Sequence, residues 1–119
     1  MFSKIATTIL LALPFTIAAP ALAPRTSGEV TFYNPGLGAC GETHGDSDMV
    51  VAVSAELFDS EQPCGSKIRV HGDAGDALVT VVDRCGGCAY NDLDLSPAAF
   101  EQSMGELGIG RATGTWEWA

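Results

Sequence analysis

Residues 81 to 100, VVDRCGGCAYNDLDLSPAAF, hold Asp83, Asp92, Asp94, a Cys-Gly-Gly-Cys and Tyr90 within twenty positions. Carboxyl groups move protons in catalysis, and as carboxylates they accept hydrogen bonds. Asp94 stands between Leu93 and Leu95. Apolar neighbours penalise its charged form, which suits a general acid. Asp83 ends an apolar run, where an aspartate ordinarily shapes a turn, and Asp94 just before Ser96 could equally help a helix start. Cys85 and Cys88 admit three chemistries. A zinc ribbon needs a second close pair, and Cys40 and Cys64 lie too far apart to form one. A redox pair normally opens a helix that lowers the thiolate pKa, whereas Ala89-Tyr90-Asn91 is loop chemistry. The third, favoured here, is a structural bridge; four cysteines allow three pairings, and spacing does not choose among them. Neither a metal nor a cofactor is expected.

His44 lies in a Gly/Asp-rich loop and His71 precedes a turn, so both are expected to be solvated rather than catalytic. Trp116 and Trp118 point to one face of the last strand. They, Tyr33 and Tyr90 are either core packing or sugar-stacking platforms.

Strands must position these groups. EVTFY (29–33) alternates, with Val30 and Phe32 on one face. Residues 34–48 are dense in Gly, Asn, Pro and Asp and read as a loop pinned by Cys40. A buried strand follows at 49–54, then a helical turn capped by Ser54. Residues 67–72 and 76–84 make a hairpin around Gly-Asp-Ala-Gly-Asp. Ser96 caps a second short helix with Pro97 at its first position. Residues 105–110 are a loop, and 111–119 close the chain as a strand. Six or so short strands in a small domain suggest a closed barrel.

The 119 residues fit one domain. Residues 1–21 have the layout of a secretory signal, with Lys4, an apolar run and small residues, and cleavage between 18 and 23. Residues 22–27 would be a flexible lead-in and 28–119 the folded domain. An even cysteine count behind a signal reads as two bridges in an oxidising compartment, so the protein is expected outside the cell or in the wall. The formal charge is -9, and without Lys4 five basic residues face fifteen acidic ones, giving -10. Such a surface repels phosphate backbones and lacks a polybasic patch for anionic lipid. Nucleic acid and membrane are therefore not expected partners; neutral polymers and basic proteins are.

GEVTFYNPGLGACG, PCGSKIRV, VTVVDRCGGC and LDLSPAAF, in that order, resemble the double-psi β-barrel of expansins, barwin-like proteins, the rare lipoprotein A domain and family 45 endoglucanases. Small secreted fungal single-domain proteins of this group are most similar, over Gly28 to Ala119. The resemblance implies a mainly β fold: a six-stranded double-psi barrel with one or two short helices and a groove across one face. It pairs Cys40 with Cys64 and Cys85 with Cys88. Asp94 matches the general acid of the endoglucanases, which in expansins is required for wall loosening. Asp83 matches a second groove aspartate, and Tyr33 falls near a polar groove residue. Expansins carry an aromatic two positions after that second aspartate, where this chain has Cys85; Tyr90 is the candidate substitute. Half of each catalytic pair is missing. Asn34-Pro35 stands where the endoglucanases place their base, and DSEQPCGSK (59–67) lacks the histidine of the lytic enzymes. No counterpart of the second, sugar-binding domain of full expansins is expected. The resemblance thus implies a monomeric, non-hydrolytic module binding cell-wall polysaccharide through Tyr33, Asp83, Asp94 and Tyr90. Its alternatives are an inhibitor of papain-like cysteine proteases or a host-surface effector acting through loops such as 34–48. A weak glycan-cleaving enzyme using Asp94 alone comes third.

Overall fold

The computed structural model describes residues 24–119, and the expected signal at 1–21 lies outside them. Six strands and two helices follow in chain order: β1 Thr26–Phe32, β2 Val50–Ser54, α1 Ala55–Glu61, β3 Lys67–Gly72, β4 Gly75–Cys85, β5 Leu93–Leu95, α2 Pro97–Ser103 and β6 Ala112–Trp118. They close into the expected barrel, in the order β1-β5-β2-β4-β3-β6 and back to β1. The β1/β5 and β2/β4 pairs are parallel, which needs long crossover connections.

Alternation explains most strands. Val30, Val51, Val53, Val79, Leu93 and Leu95 point inward around Phe100 and are almost fully buried. Phe32 leans on Phe100, with ring centroids 5.1 Å apart. β1 starts at Thr26 because Thr26 to Val30 pair with Trp116 to Ala112 of β6, so Thr26 and Ser27 of the expected lead-in are strand. β3 and β4 form the expected hairpin, from Lys67 opposite Thr80 to Gly72 opposite Gly75. The three-residue β5 is a strand that the sequence pattern did not single out; it is held between β1 and β2 by ladders on both sides.

Both helices start where the serines place them. Ser54 Oγ accepts from Leu57 N at 3.1 Å, and Ser96 Oγ accepts from Ala99 N at 3.3 Å. The first runs a full turn longer than expected, to Glu61. A short 3-10 turn, Leu107–Ile109, sits in the expected 105–110 loop. The disulfides are Cys40–Cys64 and Cys85–Cys88, as the resemblance implied.

Candidate functional site

The ladders set the chemistry-bearing residues in one row. Asp94 on β5 is in register with Thr31 of β1 on one side and Ala52 of β2 on the other. Ala52 is in turn the partner of Asp83 on β4. Since Leu93 and Leu95 fill the core, Asp94 faces outward. Two strand spacings separate the backbones of Asp94 and Asp83, about 10 Å.

Asp83 reaches this face through a bulge. Val51 pairs with Val81 but Ala52 pairs with Asp83, so Val82 is an extra residue. In a regular strand Asp83 would share the inward face of Val81; one added residue turns it outward.

Tyr33 stands two residues beyond Thr31 on the same side, and its N–H continues the ladder to Leu95 O at 2.9 Å. Its hydroxyl donates to Asp83 Oδ2 at 3.3 Å, reaching from the end of β1 to β4 across the two strands between them. Ala52, between Asp94 and Asp83 in the ladders, is 2% exposed. Asp83 Oδ1 accepts from Ala39 N and Arg84 N, both at 2.8 Å. Three donors therefore occupy Asp83. Asp94 is less engaged: Thr31 Oγ1 donates to Oδ1 at 2.9 Å, and among the described residues nothing donates to Oδ2.

Burial pushes the Asp94 carboxyl above the usual aspartate range. The Thr31 bond opposes this, the Asp83 charge adds to it, and Arg111 opposes it again. Burial, then Asp83, then Asp94 raise the Tyr33 phenol far above its ordinary value, so Tyr33 remains a donor at every physiological pH. The face thus offers a half-buried carboxyl with a free oxygen, a carboxylate that already holds three donors, and a phenol. It can bind hydroxyl groups, and Asp94 can carry a proton.

Asp83, Asp94 and Tyr33 lie on one outward face of the barrel. Tyr90 is 43% exposed on the loop after Cys88. Its carbonyl accepts from Ser54 Oγ, but among the described residues its hydroxyl bonds none of the three. Asp92 is structural, accepting from Glu29 N and Ala89 N. Neither histidine is freely solvated, contrary to expectation. His71 is clamped by Asp76 at 2.7 Å and Glu117 at 2.8 Å, and the buried Nδ1 of His44 has no partner among the described residues. Trp116 is core, with its Nε1 donating to Asn91 O, while Trp118 is exposed at the strand end. Sequence reasoning missed Thr31, Arg111 and the bulge. Only Thr31 left a signal, as the outward residue between Val30 and Phe32. Asn34 donates from its amide to both carboxylate oxygens of Asp46 at 3.1 Å.

No protein-family model matches the chain. It is 33% identical over 79 residues to an Allergen Asp f 7 homolog of Arthroderma benhamiae, covering 62% of this chain and 27% of that protein. A crystal structure of an aspartate-to-asparagine variant of Clavibacter michiganensis expansin, in complex with cellohexaose, superposes with a TM-score of 0.73 at 29% identity. That match covers 81% of this chain and 50% of the expansin. The Streptomyces papain inhibitor gives a TM-score of 0.71 at 28% identity, over 81% of this chain and 94% of the inhibitor. The chain therefore spans about a quarter of the allergen homologue and half of the expansin.

Proposed function

From the premise that the chain is a double-psi β-barrel of the superfamily holding expansins and the Streptomyces papain inhibitor, we propose that it is a secreted, monomeric, non-hydrolytic module. It binds neutral cell-wall polysaccharide along the row Thr31, Asp94, Ala52, Asp83, with Tyr33 above it. Tyr90 contributes aromatic surface at the edge. The observation that carries this reading is the engagement of Asp83 by three donors, Ala39 N, Arg84 N and Tyr33 Oη. Three of about four lone-pair positions on that carboxylate are taken, which leaves it poorly placed to activate water opposite Asp94. A glycosidase needs two working carboxyl groups; here one is free and the other is committed to the scaffold. The Clavibacter expansin bound to cellohexaose supports the ligand class, and the two disulfides support an oxidising compartment.

The test is retention on insoluble cellulose, β-glucan and chitin, with soluble sugar ends measured in the same tubes. Wild type is retained on at least one polymer without releasing sugar, and Asp94→Asn is retained less. Equal retention of the two proteins on every polymer removes the reading.

A second reading, inhibition of a papain-like protease, is favoured by a different observation. Leu37, 75% exposed, stands on the 34–48 loop, which is braced by its bridge to Thr43 and by Cys40–Cys64. A preorganised apolar tip is suited to insertion into a cleft. Loss of papain inhibition in Leu37→Asp would support it, and no inhibition by micromolar wild type would end it.

A further inference from the structure

Ala39, Cys40, Phe58, Asp59, Gln62 and Cys64 line a concavity of about 430 Å³, a volume in the range of small-ligand sites. It shares a wall with the carboxylate row. Ala39 is bonded to Asp83, and Arg84, bonded to Asp83 through its own N–H, grips Asp59 with Nε and a terminal nitrogen at 2.9 Å each. Asp83 is thus tied to Tyr33 on one side and, on the other, to the main chain of the residue whose side chain grips Asp59. The cystine fixes one side and Phe58, which packs on the core, fixes another.

Gln62 supplies the second observation. It is the only non-glycine residue with positive φ among those described, at φ 47° and ψ 60°, where it closes α1. Glycine is the usual residue for a left-handed helix end, because it adopts that conformation without strain. Here a long amide side chain occupies the strained position, and it lines the concavity. Strain held at a recess is a pointer to function.

We propose that this concavity is a second subsite, which takes further residues of the same neutral polysaccharide chain. The inference rests on the polysaccharide reading above. A sugar ring has an apolar face and a polar edge; Phe58 matches the first, and Asp59 and Gln62 match the second. Among the described residues the lining holds no cation and the nearby Arg84 is engaged by Asp59, so the recess suits a neutral ligand rather than an anionic one. Continuity with the Asp94 row lets one chain run across both.

The test is calorimetric titration of the full chain with cello-oligosaccharides of three and six residues. Wild type binds the longer one roughly tenfold more tightly, the effect of one or two added hydrogen bonds. Gln62→Gly abolishes that advantage and leaves the trisaccharide unaffected. Its melting temperature holds or rises, since glycine relieves the left-handed strain, so misfolding cannot explain the loss. Asp94→Asn weakens both ligands. If Gln62→Gly and Phe58→Ala bind the hexasaccharide as wild type does while Asp94→Asn weakens both, the second subsite is refuted and the first stands. If wild type binds neither ligand, the second subsite is refuted; if it is also retained on none of the polymers above, the polysaccharide reading falls with it.

Discussion

Opening the Cys40–Cys64 bridge should cost far more than opening Cys85–Cys88, and it alone should disturb the carboxylate row. The first spans a sequence separation of 24 and the second a separation of 3. Loop-closure entropy then gives about 3.5 kcal/mol for the first and about 1.9 kcal/mol for the second. At about 4 °C per kcal/mol, the lower end for a domain near 100 residues, the melting point falls by about 14 °C and about 8 °C. The functional difference comes from the contacts of the loop. Cys40 N donates to Val82 O at 3.2 Å, next to the bulge, and Ala39 N donates to Asp83. A Cβ on Gly38 would meet Val82 O at 2.3 Å, so the loop lies directly on β4. Releasing Cys40 loosens that seat and with it Asp83. The assay compares Cys40→Ala/Cys64→Ala with Cys85→Ala/Cys88→Ala by urea denaturation, then by polymer retention well below each midpoint. Equal stability losses, or a larger loss for the short bridge, would refute the entropic reasoning. Intact retention in the Cys40/Cys64 variant would refute the link to Asp83.

Asp94→Asn should stabilise the fold at neutral pH. The folded pKa of Asp94 lies above its ordinary 3.8, so the native state binds more protons than the unfolded chain between those two values. Stability therefore falls as pH rises through that window. The variant escapes this, and its advantage in a urea series should shrink as pH falls and vanish below the ordinary aspartate value. Gly28→Ala places a Cβ 2.0 Å from Asn91 O, a backbone atom that cannot swing aside, and chemical denaturation should show a loss of about 2–3 kcal/mol. Tyr33→Phe removes one long bond to a carboxylate that keeps two others, so the same measurement should register less than about 1 kcal/mol.

Much of the fold was legible because it follows local rules. Alternation around Val30, Val51, Val79 and Val81 marks strands, Ser54 and Ser96 mark helix starts, and the glycines between β3 and β4 mark the hairpin. β5 was harder, since three residues carry too little periodicity and its strand character comes from its neighbours. The pairing of the cysteines came from resemblance rather than spacing. The site was legible as a list but not as an arrangement. Asp83 and Asp94 stand out in sequence, yet their shared face depends on the extra residue Val82, and one inserted residue reverses every orientation beyond it. His71 shows the same limit. A turn-adjacent histidine reads as solvated, and only the strand register brings Glu117 and Asp76 to its two nitrogens.

An amide-by-amide NMR titration of the whole domain with cellohexaose probes the binding face most directly. Perturbations should gather at Thr31, Ala52, Asp83 and Asp94, spare His71 on another part of the barrel, and weaken in Asp94→Asn, with the sugar recovered uncut. Shifts confined to the His71 region, or a hexasaccharide cleaved during the experiment, would contradict a face that grips a glycan without breaking it.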